Sequence, residues 1–298
     1  MNERDLIAML RPLAGPAGLG LMDDAALLSV GEGQDLVIST DTMVERVHFP
    51  AGRIGGGFSE RLLRTALSDL AAKGARPIGY ALNVAWPRGR DGVWLRGFVQ
   101  GLSDAQSAFD CPLIGGDTTA TDGPLVASAT VYGVVPTGTM VTRSGAHPGD
   151  VLWHTGVLGR AEQGLRIVTG ETVDLTPSEF AASEEAYLRP VPRFAFRKAL
   201  RAHATSCADI SDGLLSEAGH IAEASGVRID LVADALGGAS FGDDYELLFT
   251  ASHAATDALL NESAAIGLPL TRCGTVSAGE GVYVDGERRD PSGYRHAL

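Results

Sequence analysis

Lysine is almost missing from this 298-residue chain: only Lys73 and Lys198 occur, and neither follows a glycine. That excludes the glycine-rich loop ending in Gly-Lys-Ser/Thr, whose lysine reaches the terminal phosphates of a nucleotide, and it argues against the lysine-dependent layout of protein kinases. Cysteine is scarce too. Cys111, Cys207 and Cys273 are odd in number, far apart and form no Cys-x-x-Cys pair, so neither a disulfide framework nor a zinc site is expected; each reads as a small buried hydrophobe. No apolar run approaches the ~20 residues needed to span a bilayer, and MNERDLIAML lacks the basic-then-apolar build of a secretory signal. A cytoplasmic protein without membrane contact is expected. Positive charge is in deficit as well: the formal net charge of -13 disfavours nucleic acid as a partner, because phosphate backbones are gripped by clusters of Lys and Arg. Seven histidines supply no HxxxH or HExxH pattern. Any nucleotide has to be held by something other than these devices.

The length exceeds the roughly 100–200 residues of one domain, so two domains are expected. The first half reads as short strands alternating with two long helices. Helical periodicity runs over Ser59 to Gly74, with Leu62, Leu63, Ala66, Leu67, Leu70 and Ala71 on one face, and over Val93 to Phe109. Strands are expected at Asp35 to Ser39, Pro77 to Trp86 and Leu125 to Val135. The turn-rich stretch Pro136 to Asp150 is the candidate linker. Beyond it, strands are expected at Val151 to Thr155, Arg228 to Val232, Tyr245 to Thr250 and Gly281 to Val284, and helices at Arg160 to Val168, Arg193 to Ala204, Leu214 to Ala224 and Ala254 to Ile266. No short-period repeat or low-complexity tract is present.

The acidic residues that stand out lie beside Gly, Ser or Thr: Asp23 and Asp24 in LMDDAALL, Asp41 in ISTDTMVERVHF, Asp69 in LSDLAAKGA, Asp117 in LIGGDTT, and Asp209 and Asp212 in ADISDGL. Carboxylates with neighbouring hydroxyls and carbonyls are hard oxygen ligands suited to magnesium, which takes only one or two protein carboxylates and completes its shell with water and phosphate. So many groups suit several ions. Each motif also has an ordinary reading. Asp209-Ile-Ser-Asp212-Gly precedes a helix and fits an N-cap, Gly115-Gly116-Asp117-Thr118 fits a turn, and His48 alone fits a structural histidine. Gly52 to Phe58 (GRIGGGF) and TGVLGRAEQG read as a loop and a helix start. Asp69 is harder to set aside, because a carboxylate inside an apolar helical stretch is costly unless paired, hydrogen-bonded or metal-bound.

The joint arrangement of these motifs resembles the thiamine-monophosphate kinases, a family within a superfamily that also contains aminoimidazole ribonucleotide synthetase, selenophosphate synthetase and a hydrogenase-maturation protein. The resemblance runs in order along nearly the whole chain: Asp-Asp-Ala-Ala at 23 to 26, Ser39-Thr40-Asp41-Thr42 with Val47-His48-Phe49, Leu67 to Ala72, Ile114 to Thr118, Thr142 to Ala146, Arg189 to Arg193, Asp209 to Leu214 and Gly242 to Leu247. It implies a two-domain aminoimidazole ribonucleotide synthetase-like fold of the α+β / α/β class. Residues 1–138 would form an N-terminal ATP- and magnesium-binding domain whose mixed sheet pairs across a homodimer, and residues 139–298 a C-terminal α/β domain that completes the active site. On this resemblance Asp24, Ser39, Thr40, Asp41, Asp69, Asp117 and Asp209 hold Mg2+ ions, with Asp212 on a further one. Gly116, Asp117, Arg143 and Ser211 meet ATP, with Asp69, Asp117 and Arg143 serving catalysis. His48, Asp243 and Tyr294 meet thiamine monophosphate. Met22, Arg46, Leu67 and Lys73 depart from the Gly, Gly, Asn and Met usual in the family, and the segment between Val232 and Gly242 is short.

The expected reaction is direct in-line transfer from ATP to a phosphate acceptor. Two like unit charges about 4 Å apart repel by ~4 kcal/mol at an effective dielectric of 20, so a site of bare aspartates needs magnesium to accept a triphosphate. A phosphate monoester, with its second pKa near ~6, is largely dianionic at neutral pH and needs no strong base. Two other classes stand beside this expectation: an ATP-dependent synthetase or ligase of the same superfamily, and a nucleotide-binding regulator without catalysis.

Overall fold

In the computed structural model the described residues are 3–22, 25–51, 55–90, 92–236, 241–291 and 293. The chain divides into two compact units, one of residues Met1–Leu70 with Arg76–Gly138 and one of Ala71–Ala75 with Thr139–Leu298.

The first unit contains α1 (Glu3–Leu10), β1 (Gln34–Val44), α2 (Gly55–Ala72), β2 (Arg76–Pro87), α3 (Gly92–Phe109), β3 (Leu113–Thr121) and β4 (Val126–Pro136). Its mixed sheet has the order β1-β4-β2-β3; β4 runs antiparallel to β1 and β2, while β3 runs parallel to β2. The helical face of α2 read from the sequence is the buried one, with Phe58, Leu62, Leu63, Ala66, Leu67 and Leu70 all inaccessible to solvent. Rings fill the space beside it: Phe49 stacks on Phe58 at 3.9 Å, and Trp86 meets Phe98 edge-on at 5.3 Å.

Pairing rows identify the two faces of this sheet, because laterally paired residues project to the same side. Asp41 shares a row with Ala129, Leu82 and Gly116, and buried Ala129 and Leu82 mark that side as the core side. Thr42 shares a row with Ser128, Asn83 and Asp117, and exposure of Thr42, Asn83 and Asp117 marks the opposite side as open. Leu36, Ile38 and Thr40 lie on the open side with Thr42, and Leu36 and Ile38 are exposed despite being apolar.

The second unit contains β5 (Val151–Thr155), α4 (Arg160–Thr169), α5 (Pro177–Leu188), α6 (Arg197–His203), β6 (Ala204–Asp209), α7 (Leu214–Ser225), β7 (Arg228–Leu231), β8 (Leu247–Ala251), α8 (Thr256–Ala265), β9 (Leu270–Ser277), β10 (Gly281–Val284) and β11 (Glu287–Arg289). Seven strands form a mixed sheet in the order β11-β10-β7-β9-β5-β8-β6. Every residue of β5 and β8 is buried, as expected where both faces of a sheet are covered. Leu152, Ala208 and Leu248 join α7 through Leu214, Ala218 and Ile221 in one cluster. Trp153, Cys207 and Phe249 join Phe196, Leu200 and Leu259 in another. The unit is therefore helix on sheet on helix. All three cysteines are buried and free. No helix among the described residues is long and apolar enough to cross a membrane.

Four sequence expectations change. Gly55 to Phe58, read as part of a loop, form the first turn of α2. Gly115-Gly116-Asp117-Thr118 is not a turn but the middle of β3. Arg193 to Ala204 is a 3-10 turn at Phe194–Phe196 followed by α6, not one helix. β8 starts at Leu247 rather than Tyr245, because Asp243 and Tyr245 take left-handed backbone angles (φ 72° and 50°) that interrupt a strand.

Candidate active site

In the first unit, Ser39 and Asp41 are two apart on β1 and so share the core-side face. Asp69 reaches that face from α2: Ser39 Oγ donates to Asp69 Oδ2 at 2.5 Å. A carboxylate on an otherwise apolar helix is thereby given a hydroxyl partner, which reduces its desolvation cost. Thr40 faces the open side, its hydroxyl 3.0 Å from Thr130 Oγ1. Asp117 also lies on the open side, on the opposite edge strand from Asp41. Three strand spacings separate those edges, about 14 Å. One chain's sheet thus gathers Ser39, Asp41 and Asp69 and holds Asp117 apart from them.

Gly116, beside Asp117, has φ 150°, and a Cβ there would come within 1.8 Å of the Leu82 carbonyl oxygen. Only glycine lets β3 approach β2 so closely. His48 sits in the turn after β1; its Nδ1 accepts from the Val44 N–H at 3.0 Å, which leaves the proton of the neutral ring on Nε2. The preceding Arg46 occupies a left-handed turn position, φ 71°. This accounts physically for the glycine usual in the family at this place, since a Cβ is disfavoured there.

The second unit brings its candidates together through backbone pairing. β6 ends at Asp209, which is buried. Residues 210–212 then run beside 242–246: Ile210 N donates to Glu246 O at 2.7 Å, Tyr245 N to Ile210 O at 2.8 Å, and Asp243 N to Ser211 O at 2.7 Å. A Cβ on Gly242 would lie 1.9 Å from the Ser211 carbonyl oxygen, so a side chain there would force the two segments apart. Asp209, Ser211, Asp212 and Asp243 are therefore carried by one pair of linked segments. The N-cap role is not theirs: α7 is capped by Gly213 (φ 108°, ψ 153°), with no side-chain cap hydrogen bond. Non-glycine residues at positive φ, as at Asp243 and Tyr245, concentrate at functional sites.

Around these segments stand further groups, of which Glu246, Asp244, Glu217 and His220 were not singled out in the sequence. Glu246 is held bidentately by Arg193, with Arg193 Nε to Oε2 at 2.6 Å, and Thr155 Oγ1 donates to the same oxygen at 2.6 Å. Asp244 accepts from Gly159 N at 2.8 Å and Ala161 N at 3.4 Å, serving the start of α4 from outside that helix. Burial pushes the Asp244 carboxyl up to about 7 in spite of those donors. Arg143 extends from the segment after residue 139 and is about half exposed; its Nη2 lies 3.7 Å from Oε2 of the wholly buried Glu217. His220 Nδ1 shares that oxygen at 3.0 Å, and the carboxylate raises the imidazole above its usual range. Lys73, in the place of the family's usual methionine, donates to the Cys207 carbonyl at 2.8 Å. Asp23, Asp24 and Tyr294 lie outside the described residues, as do residues 52–54 of the Gly-rich loop.

Among the described residues no three His, Cys, Asp or Glu side chains converge on a common metal position. The oxygen groups present instead suit a hard ion that takes few protein carboxylates and leaves the rest of its shell to phosphate and water.

The AIR synthase related protein family matches this chain twice, by its N-terminal domain over residues 22–135 and its C-terminal domain over 147–287. A thiamine-monophosphate kinase of Caulobacter vibrioides is 42% identical over 317 aligned positions, covering 98% of this chain and 89% of that protein. The chain belongs to the thiamine-monophosphate kinase family. A crystal structure of thiamine-monophosphate kinase from Stenotrophomonas maltophilia superposes with a TM-score of 0.84 at 37% identity, covering 96% of both chains. A structure described as AaThiL complexed with AMPPCP and TMP gives 0.80 at 26% identity, covering 100% of this chain and 99% of that one. The two-domain fold expected of the thiamine-monophosphate kinase family is the one found, with a mixed sheet and helices in each unit.

Proposed function

We infer that this chain is an ATP-dependent thiamine-monophosphate kinase, which moves the terminal phosphoryl group of ATP onto the phosphate of thiamine monophosphate to give ADP and thiamine diphosphate. The observation that carries this reading is 42% identity to a relative of that name over 98% of the chain. The site chemistry supports it: the acceptor is already dianionic near neutral pH, and the candidate set is rich in aspartate and poor in histidine. Phosphoryl transfer of this kind rests mostly on positioning and charge neutralisation.

In this reading Asp24, Ser39, Thr40, Asp41, Asp69, Asp117 and Asp209 hold magnesium, and Asp212 a further ion. Held by these residues, magnesium would supply the positive charge that neutralises the phosphates. Gly116 and Ser211 meet the nucleotide through a backbone that approaches closely, and Arg143 offers its planar donors to phosphate oxygens. His48 donates from Nε2 to the acceptor, and Asp243 and Tyr294 are its other contacts in this reading. Residues 1–138 form the nucleotide, magnesium and dimerisation domain, and 139–298 the second domain of a cytoplasmic homodimer. The open, partly apolar face of the first sheet supports the homodimer.

The test is incubation of the purified protein with ATP, magnesium and thiamine monophosphate, following ADP and thiamine diphosphate, with an acceptor-free control. One-to-one formation of both products is expected. ADP without thiamine diphosphate, or no ADP at all, would overturn the reading.

A further inference from the structure

Glu217 lies in the first turn of α7, where its N–H donates to Gly213 O at 3.1 Å and ties it to the loop that carries Ser211 and Asp212. Its side chain is wholly buried, and Oε1 has no hydrogen-bond partner among the described residues. Such a group is costly, and a native structure that retains one usually has a use for it. The other oxygen, Oε2, faces Arg143 Nη2 at 3.7 Å, beyond hydrogen-bonding distance. A guanidinium presents donors in a fork that fits a carboxylate at two oxygens, so the spare Oε1 and the gap to Oε2 leave this pair room to tighten. Arginine has donors enough to meet a carboxylate and a phosphate together.

The opposite end of the same helix holds the arginine's main chain. Ser225 Oγ donates to Arg143 O at 3.3 Å and accepts from Ala146 N at 3.1 Å. The Arg143 segment is thus fixed by Ser225 at the last residue of α7, while its side chain approaches Glu217 at the first turn.

We propose that Glu217 is a positioning residue for Arg143, holding the guanidinium in register with the Ser211–Asp212 loop so that it meets the phosphates of ATP. The proposal rests on the reading of Arg143 as an ATP contact. His220, whose Nδ1 lies 3.0 Å from Oε2, competes with Arg143 for that oxygen.

The test is steady-state kinetics with MgATP varied, on Glu217→Gln, Arg143→Ala and the double variant. Glu217→Gln keeps the size of the side chain and removes its charge. Loss of one charge-assisted contact predicts about a tenfold rise in KM for ATP, with kcat within about twofold and KM for the acceptor unchanged. Because Glu217 acts through Arg143, the double variant should be no worse than Arg143→Ala alone. Glu217→Asp, which keeps the charge but draws it back by one methylene, should lie between wild type and Glu217→Gln, and it carries the test if Glu217→Gln fails to fold. An unchanged KM for ATP in both Glu217 variants, with Arg143→Ala impaired, overturns the positioning role and spares the ATP reading. Independent, multiplying effects in the double variant overturn it likewise. An Arg143→Ala enzyme with normal KM and kcat overturns both.

Discussion

Asp69 carries the most chemistry that a single residue of the first unit can be asked to carry. Its partner is Ser39, thirty residues away, at 2.5 Å. Asparagine at 69 keeps the size of the side chain and an oxygen to accept that hydroxyl, so the fold should survive, while the charge that would attract a cation is gone. Asp69→Asn should therefore lower kcat by about 10²–10³-fold, the usual scale for removing one electrostatic contact from a charged transition state, with a melting temperature within a few degrees of wild type. Wild-type turnover in the variant would take Asp69 out of the mechanism. The sequence made Asp69 conspicuous because an apolar helix surrounds it. It could not reveal the Ser39 contact, which the pairing of α2 against β1 creates. Glu217 is the reverse case: acidic residues are ordinary in the first turn of a helix, and nothing in SEAGH shows that this one is wholly buried.

At the level of elements, long periodic segments were the legible ones. α2, α3 and α7 each carry an apolar stripe, and β5 and β10 have the bounds expected from the sequence. β3 was missed because LIGGDTTAT contains a Gly pair and an Asp, residues that mark turns; Gly116 serves here to bring backbone close to β2. α5 was missed although its signal was present, with Pro177 at the first helical position and a capping box between Thr176 and Glu179. The start of α4 shows what element-level reading cannot supply. Its N-cap, Gly159, has no side chain to cap with, and Asp244 does that work from a distant segment. Asp244 has a folded pKa raised from 3.8 to about 7, chiefly by burial. Below the unfolded value both states hold the proton; as pH rises toward 7 the unfolded chain releases it first, so the folded state loses stability over that window and no further above it. Asp244→Asn does not titrate. Its stability relative to wild type should therefore rise by roughly 2–3 kcal/mol between pH 5 and pH 8, measured as urea unfolding free energies of both proteins at each pH. A constant difference would mean that Asp244 titrates as an ordinary carboxyl.

For the whole molecule, the open face of the first sheet poses the question of what covers it. Leu36 and Ile38 are 41% and 56% exposed there, beside Thr40, Thr42 and Tyr132. An apolar, β-branched sheet face left to water is a docking surface more often than an accident. A second copy fits it best, because a two-fold interface needs only one self-complementary patch. Association has to overcome the -13 formal charge that each copy carries, so it should strengthen as salt screens that repulsion. Ile38 lies opposite Tyr132 in the pairing register and has no part in the proposed ligand set, which makes it the position to alter. Ile38→Asp places a charge where apolar surface must be buried, and its desolvation opposes association without disturbing the core side of β1. Sedimentation at micromolar concentration should show wild type at twice the chain mass and Ile38→Asp at the chain mass. Turnover should fall with the fraction of dimer, since Thr40 and Asp117 of the proposed ligand set lie on the open face and pairing of two open faces is what can bring a second set of groups to them. Fully active wild-type monomer would remove the dimer from the mechanism and require each chain's own groups to hold the nucleotide alone.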